Sequence, residues 1–545
     1  MKICKQCATG FEVRDADRRF YETVGVSEPQ MCPDCRMQRR MMFRNFFNLY
    51  HRKCDLTGKQ IVSMYDVDAP FPVYEMYEWW SDKWDGLSYG IDVDLNRPVF
   101  DQLKILHRAV PRMNISNINC ENTDYCNFSF SSRNCYLVFG NVGNEDCVYG
   151  HIVWQSKDCY DCLYTYASRF CYECADCFQC HSLSFSVNCD NCSEGRFLHN
   201  CVGCRDCFGC VGLKDKQFHI FNKSYSKTDY EAKIREFNSG NIQLVGIAQK
   251  KLQELIGQEI VKYYHGYNCE NVTGDYLYNC KNVFRSFDLK NCEDCAYSAT
   301  LDRFINSYDC NFSAPPSEWC VNCLTCTGQN MKMCHSCLHS ADMAYCDFCM
   351  NCKDCFGCAG LKNKQYCVFN KQYSKGEYEK LTARLVVHMK AMGEWGEFFP
   401  ADFSPFAYNE TIASEYYPLS KLAAGKQGLR WKEKNEEKNY KGPKYQIPDD
   451  IKDVPDNICK QILLSEKSAM PYKIIPQELK FYRENHISIP RLTPDERHWE
   501  RLKKRNPRIL WDRKCDNCGK AIKTTYSPDR PEKVYCEACY LNAVY

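Results

Sequence analysis

No stretch of the 545 residues stays apolar for the ~18 positions a membrane-crossing helix needs. The opening Met-Lys-Ile-Cys-Lys-Gln-Cys carries no apolar leader, so the expectation is a cytoplasmic protein with no membrane contact. An excess of one charge is also missing. Against 71 Lys and Arg stand 69 Asp and Glu, net +2, which excludes a uniformly basic nucleic-acid coat and an acidic solvating tail. There is no phosphate-cradling glycine loop, no Gly-x-Ser-x-Gly elbow and no His-Glu-x2-His helix. None of the 12 histidines sits in a recognisable catalytic frame, so no catalytic residue is assigned and an enzyme is disfavoured. Aromatic content of 14% within 44% apolar residues argues for packed cores rather than disorder. What the chain has in excess is sulfur, 42 cysteines. In an oxidising compartment these would suggest disulfides; in a reducing cytosol they suggest metal ligands or buried thiols.

The two ends are copies of one module. Sliding the N-terminus forward by 461 positions places Phe20-Tyr21 on Phe481-Tyr482, Pro33-Asp34 on Pro494-Asp495 and Arg52-Lys53-Cys54-Asp55 on Arg513-Lys514-Cys515-Asp516, without a gap. The copies keep different cysteines. The first holds Cys4, Cys7, Cys32 and Cys35, and the second holds Cys515, Cys518, Cys536 and Cys539. Two Cys-x2-Cys knuckles supply four thiolates to one tetrahedral ion, the closed structural arrangement of zinc. About two zinc ions per chain follow, with iron in a rubredoxin-like site as the alternative. In the second copy Thr493 and Glu496 stand where Cys32 and Cys35 stand in the first. In the first, Cys54, Thr57, Glu75 and Glu78 match the second copy's quartet. Each copy thus reads as a two-site module that lost one site.

Both copies also carry an arginine trio at i, i+4, i+8: Arg36, Arg40, Arg44 and Arg497, Arg501, Arg505. On a helix each trio lies on one face. Such a stripe can grip phosphates of RNA, DNA or a ribonucleoprotein. It can equally pair with local carboxylates, or meet an acidic protein.

Between the copies, every cysteine from Cys120 to Cys210 falls at a multiple of three. The other residues of that frame are mostly small, and none is charged or aromatic. Cys135, Cys147, Cys159 and Cys171 recur every twelve residues. A coil of about twelve residues with four inward positions fits, its turns stacked ~4.8 Å apart as parallel strands. Asn134, Asp146, Asp158, Asn188 and Asn200, each just before a cysteine, suit the corners. The pattern resembles the narrow β-solenoids of some insect antifreeze proteins in its coil alone, since no threonine ladder is present. A second stretch repeats the first 148 residues on, with Cys355-Phe356-Gly357-Cys358 matching Cys207-Phe208-Gly209-Cys210. Its frame holds from Cys334 to Cys367 and slips near Pro315-Pro316. Cysteine here serves as a small core residue, a disulfide half or a metal ligand. His219 in the place of Cys367 makes Cys207, Cys210, His219 and Cys355, Cys358, Cys367 candidate additional metal sets. An iron–sulfur relay is a variant of that reading.

The expected fold is mainly β: two tandem narrow cysteine-lined β-solenoids with helical caps, flanked by N- and C-terminal zinc-ribbon modules. The expected order is a ribbon module with an aromatic and acidic extension (1–112), a first solenoid (113–227), a helical connector (228–265) and a second solenoid (266–375). A cap, a docked aromatic segment and a flexible linker (376–470) then lead to the second ribbon module (471–545). The layout resembles uncharacterised cysteine-rich zinc-ribbon proteins of reduced-genome bacteria, a resemblance that implies no biochemistry. The functional expectation is a zinc-binding, non-enzymatic scaffold whose ribbon and arginine-helix modules bind nucleic acid or a ribonucleoprotein. Alternatives are metal storage or redox work by the thiols, and a purely structural scaffold with a protein partner on the aromatic solenoid faces. Oligomeric state is undetermined by the sequence.

Overall fold

The computed structural model describes residues 1–237, 240–302, 322–326, 332–333, 335–337, 340–433, 440 and 442–544. Strand and helix take similar shares, 29% and 27%, and the sheets are small or parallel. The fold is therefore mixed α/β, which corrects the mainly-β expectation. The terminal modules and caps are richer in helix than the period-three cysteine signal suggests: Asp15–Val24, Pro33–Met41, Val99–Ala109, Ile242–Ile256 and Lys375–Met392 are all helical. Two compact units form, each from three separate segments. One comprises Met1–Ile115, Lys262–Lys432 and Pro507–Pro528; the other comprises Ser116–Val261, Glu433–Asn506 and Asp529–Tyr545.

In the second of these units, Asn127, Phe139, His151, Leu163, Ala175 and Val187 stand side by side on successive parallel strands, each twelve residues after the last. A neighbouring face stacks His181–Ser184, Ser193–Arg196, Arg205–Phe208 and Gln217–Ile220, closed by the antiparallel Lys223–Ser224. In the other unit, Ala341–Ala344, Lys353–Phe356 and Gln365–Val368 repeat this stack 148 residues on, closed by Lys371–Gln372. There the pairing of Glu270–Tyr278 with Lys281–Lys290 shifts register between Val272 and Gly274. Gly274 adopts φ 141°, and a Cβ there would collide with the Ser286 carbonyl, so only glycine allows the shift. Cys334, Pro315 and Pro316 lie outside the described residues, as does part of the expected linker.

The narrowness of these ladders explains the cysteine. Cys126, Cys147, Cys159, Cys171, Cys177 and Cys210 are all fully buried. Inner thiols lie over carbonyls of their own turn, and many also over one of the next. Cys147 Sγ donates to Glu145 O (3.3 Å) and Ser156 O (3.6 Å), and Cys174 to Tyr172 O (3.4 Å) and Leu183 O (3.5 Å). Serine in the same frame does similar work: Ser168 Oγ donates to Tyr166 O and accepts the Cys180 N–H (3.1 Å). A small side chain with a weak donor thus fills the tube and satisfies backbone oxygens at once. The residue before each inward position sits in the left-handed region: Asn134 (φ 52°), Asp146 (54°), Asp158 (52°), Asn188 (53°) and Asn200 (52°). That conformation costs about 1–2 kcal/mol for most residues and less for Asn or Asp. Inter-turn bonds offset it, as when Asp146 N–H donates to Arg133 O (3.1 Å). Corner amides also stack: Asn268 donates to Asn279, and Asn279 to Asn291, each at 3.0 Å.

Each terminal module lays two helices on a ladder of its own unit. Asp15–Val24 and Pro33–Met41 pack on the Glu270–Asp302 ladder; Pro476–Glu484 and Pro494–Leu502 pack on the Asn127–Asp190 ladder. Pro at the first helical position and Gly25 (φ 69°) after Val24 set these boundaries. The contacts are duplicated. Tyr297 OH donates to buried Asp17 (2.8 Å), with Arg36 over the tyrosine ring at 5.1 Å. Tyr149 OH, 148 residues earlier, donates to buried Glu478 (3.1 Å), with Arg497 over its ring at 5.0 Å. The aromatic stretch after Glu394 packs inside its own unit, with Trp395 stacked parallel to Phe356.

Candidate metal centres and the arginine helices

The N-terminal quartet is built from one turn and one helix start. Cys4 follows the strand Lys2–Ile3, and a tight turn (Ala8 N–H to Cys4 O, 3.0 Å) brings Cys7 back beside it. Cys32 precedes Pro33–Met41 and Cys35 lies in its first turn, where helix-end N–H groups favour anionic sulfur. The four sulfurs all lie within 4.8 Å of one another. Tetrahedral ligation at ~2.3 Å requires sulfurs about 3.8 Å apart; Cys7 and Cys32 are 3.7 Å apart. Burial opposes ionisation of Cys4, but the N–H of Cys32 (3.2 Å) and those of Cys7 and Gln6 outweigh it and hold the thiol below its ordinary range. Hydrogen bonding from Cys35 holds Cys32 down to about 5. The spacing of the four sulfurs therefore fits a metal held by four thiolates.

The C-terminal quartet, Cys515, Cys518, Cys536 and Cys539, is likewise within 4.8 Å throughout. The hairpin Trp511–Lys514 and Ala521–Thr524 supplies the first knuckle, closed by Gly519 N–H on Cys515 O (2.9 Å). Cys536 precedes the helix Glu537–Val544, as Cys32 precedes its own. Two four-cysteine clusters near the ends of the chain can thus each hold a metal ion.

The two lost sites keep their knuckles. Applied to Cys4 and Cys7, the offset of 461 gives Ser465 and Ser468, two positions the sequence reading overlooked although the same alignment contains them. Ala469 N–H still donates to Ser465 O (3.0 Å), the counterpart of Ala8 on Cys4. Glu496 occupies the ion's role: its carboxylate accepts from Ser465 Oγ (2.6 Å) and Thr493 N–H (2.9 Å), and Thr493 Oγ1 caps Glu496 N–H. In the first copy, Cys54 Sγ accepts Glu75 N–H (3.3 Å) and Glu75 turns away to cap Tyr77 and Glu78 N–H. Glu78 pairs with Lys83 (2.6 Å). Cys54, Thr57, Glu75 and Glu78 are not among the three-ligand groups found in the described residues.

The six arginines face inward, and each is at most 5% exposed. Arg497 donates to Asp161 (3.0 Å), Arg501 to Asp161 (3.0 Å) and Glu173 (2.7 Å), and Arg505 to Asp176 (2.7 Å). All three carboxylates come from left-handed corners of the ladder. Arg36 donates to Met31 O (2.7 Å), and Arg40 to Asn322 Oδ1 (2.9 Å) and Tyr297 O (3.4 Å). Arg44 is fully buried, which pulls its guanidinium down to about 9. Both trios are buried, and this placement lends no support to the phosphate-gripping expectation.

The additional sets are not assembled either. Among the described residues, neither Cys207, Cys210 and His219 nor Cys355, Cys358 and Cys367 bring three ligand atoms within 4.8 Å of one another. Cys210 Sγ lies on Phe208 O and His219 O (3.4 and 3.5 Å), and His219 Nδ1 on Gln217 O (2.7 Å). No helix among the described residues is long and apolar enough to cross a membrane. No family model matches the chain, and no curated protein matches it.

Proposed function

We propose that this chain is a zinc-stabilised, non-enzymatic scaffold for a protein partner, with zinc ribbons at its ends and two narrow cysteine-lined β-solenoids as rigid spacers in a cytoplasmic protein. The observation that carries the reading is the inward course of both arginine helices, which makes them clamps between module and ladder. Zinc is favoured at both quartets because four thiolates from paired knuckles form a closed tetrahedral site. There the ion would be held by Cys4, Cys7, Cys32 and Cys35, or by Cys515, Cys518, Cys536 and Cys539, and would supply folding free energy. Metal storage is disfavoured because the ladder thiols are committed to carbonyls. A filter-binding titration of the full chain with a random RNA across salt tests the reading. The expected result is no retention at 0.15 M salt, roughly the physiological value. Steep salt-dependent binding that Arg497→Glu abolishes without unfolding would overturn it.

A further inference from the structure

A cavity of about 160 Å³ opens within the first unit, away from both quartets. One wall is the helix Val99–Ala109, which presents Lys104, His107 and Arg108 at three- and four-residue spacing on one face. Arg112 follows on the strand Arg112–Met113, and Arg430 comes from the segment after Lys421–Lys426. Phe71, Phe403 and Phe406, all buried, complete the lining.

Charge here is one-sided. Among the described residues, the only carboxylate in the lining is Asp402, which pairs with Lys104. His107 and Arg112 share Asp347 at 3.6 and 2.7 Å, on the ladder side. Arg112, 6% exposed, spends Nη2 on that pair; its Nε and Nη1 make no hydrogen bond of normal geometry. Arg430 donates to Ser404 O (2.6 Å) and Phe406 O (3.0 Å), neutral acceptors. Among the described residues neither Arg430 nor Arg108 forms an ion pair. Burial weakens the Arg430 cation, Glu410 partly restores it, and Arg108 repels it. Arg108, which is exposed, and Arg430 thus bring to the cavity charge that no ion pair among the described residues takes up, and an anion there would pair it.

The size and the walls restrict that anion. A cavity of about 150 Å³ holds one benzene ring. Phenylalanine walls disfavour a fully hydrated phosphate and suit a flat ring, while an arginine fork suits a carboxylate. We propose that this cavity binds a small aromatic carboxylate, its ring among Phe71, Phe403 and Phe406 and its carboxylate toward Arg108, Arg112 and Arg430.

Calorimetric titration of the full chain with benzoate, benzamide and inorganic phosphate tests the assignment. Benzoate should saturate, with benzamide and phosphate each at least about tenfold weaker. Arg108→Gln, an exposed change that breaks no ion pair, should weaken benzoate about fivefold with an unchanged melting temperature. Arg430→Gln should weaken it further. Equal affinity for benzamide, tighter binding of phosphate, or no saturation by benzoate would each overturn the proposal.

Discussion

The same knuckle is built twice, once around four sulfurs and once around a carboxylate. Cys4, Cys7, Cys32 and Cys35 converge on space for an ion; Ser465, Ser468, Thr493 and Glu496 occupy the matching positions with one carboxylate and a ring of hydrogen bonds. The backbone turn is the same in both, so the ion is not what shapes it. The difference lies in what else holds the module. The second copy is clamped by three arginines on the carboxylates Asp161, Glu173 and Asp176, while in the first Arg36 donates to Met31 O and Arg40 to Asn322 Oδ1 and Tyr297 O.

That contrast can be broken at its strongest point first. Cys32→Ser should remove one ion from the native mass and cost several kcal/mol, the largest loss of the set. Hydrogen exchange should localise the damage to Pro33–Met41. Retention of both ions would show that the quartet is not a site. Arg501→Met leaves Asp161, 0% exposed, with one of its two arginine partners and strips Glu173 of its 2.7 Å pair, and should cost about 3–5 kcal/mol in urea unfolding. The matching Arg40→Met removes the bonds to Asn322 and Tyr297 and should cost about 1–3 kcal/mol. Equal costs would erase the distinction between the copies.

Glu496→Gln gives a smaller effect, about 1–2 kcal/mol, because one bond each to Ser465 and Thr493 is weakened. Its pH dependence has a defined sign. Burial opposes ionisation, but bonds from Ser465, Ser468 and Thr493 outweigh it and hold the carboxyl below its ordinary value. The stabilisation is then complete above the unfolded-state pKa of about 4.3 and is lost as pH falls through the depressed value. Acid unfolding of Glu496→Gln should lack that component. The smallest effect concerns the ladders: iodoacetamide applied to the native, metal-loaded chain should leave Cys147, Cys159 and Cys174 unmodified and label half-exposed Cys459 first. Ready labelling of the ladder would mean that its thiols are not interior.

Much of this arrangement was legible in the chain. The period of three identifies Cys147 or Cys174 as inward because no other face could hold so many small residues in one frame. The offset of 461 predicts paired modules, and the Cys-x2-Cys knuckles name their ligands. The facing of the arginines was not legible, because i, i+4 spacing defines a stripe without saying whether it meets water or protein. A signal did exist: Asp161, Glu173 and Asp176 occupy corner positions twelve and three residues apart, a carboxylate row that matches the spacing of the arginines. The helical share was underestimated because short amphipathic helices such as Pro476–Glu484 speak more quietly than a cysteine at every third residue.

The central claim is a division of the sulfur into two classes, ion ligands at the ends and neutral donors to carbonyls between them. Elemental analysis of the chain, purified without added metal and again after loading with excess zinc and desalting, tests it most directly. About two zinc ions per chain should be found both times, one for each four-cysteine cluster. Uptake of many more ions on loading, or iron in place of zinc, would contradict it.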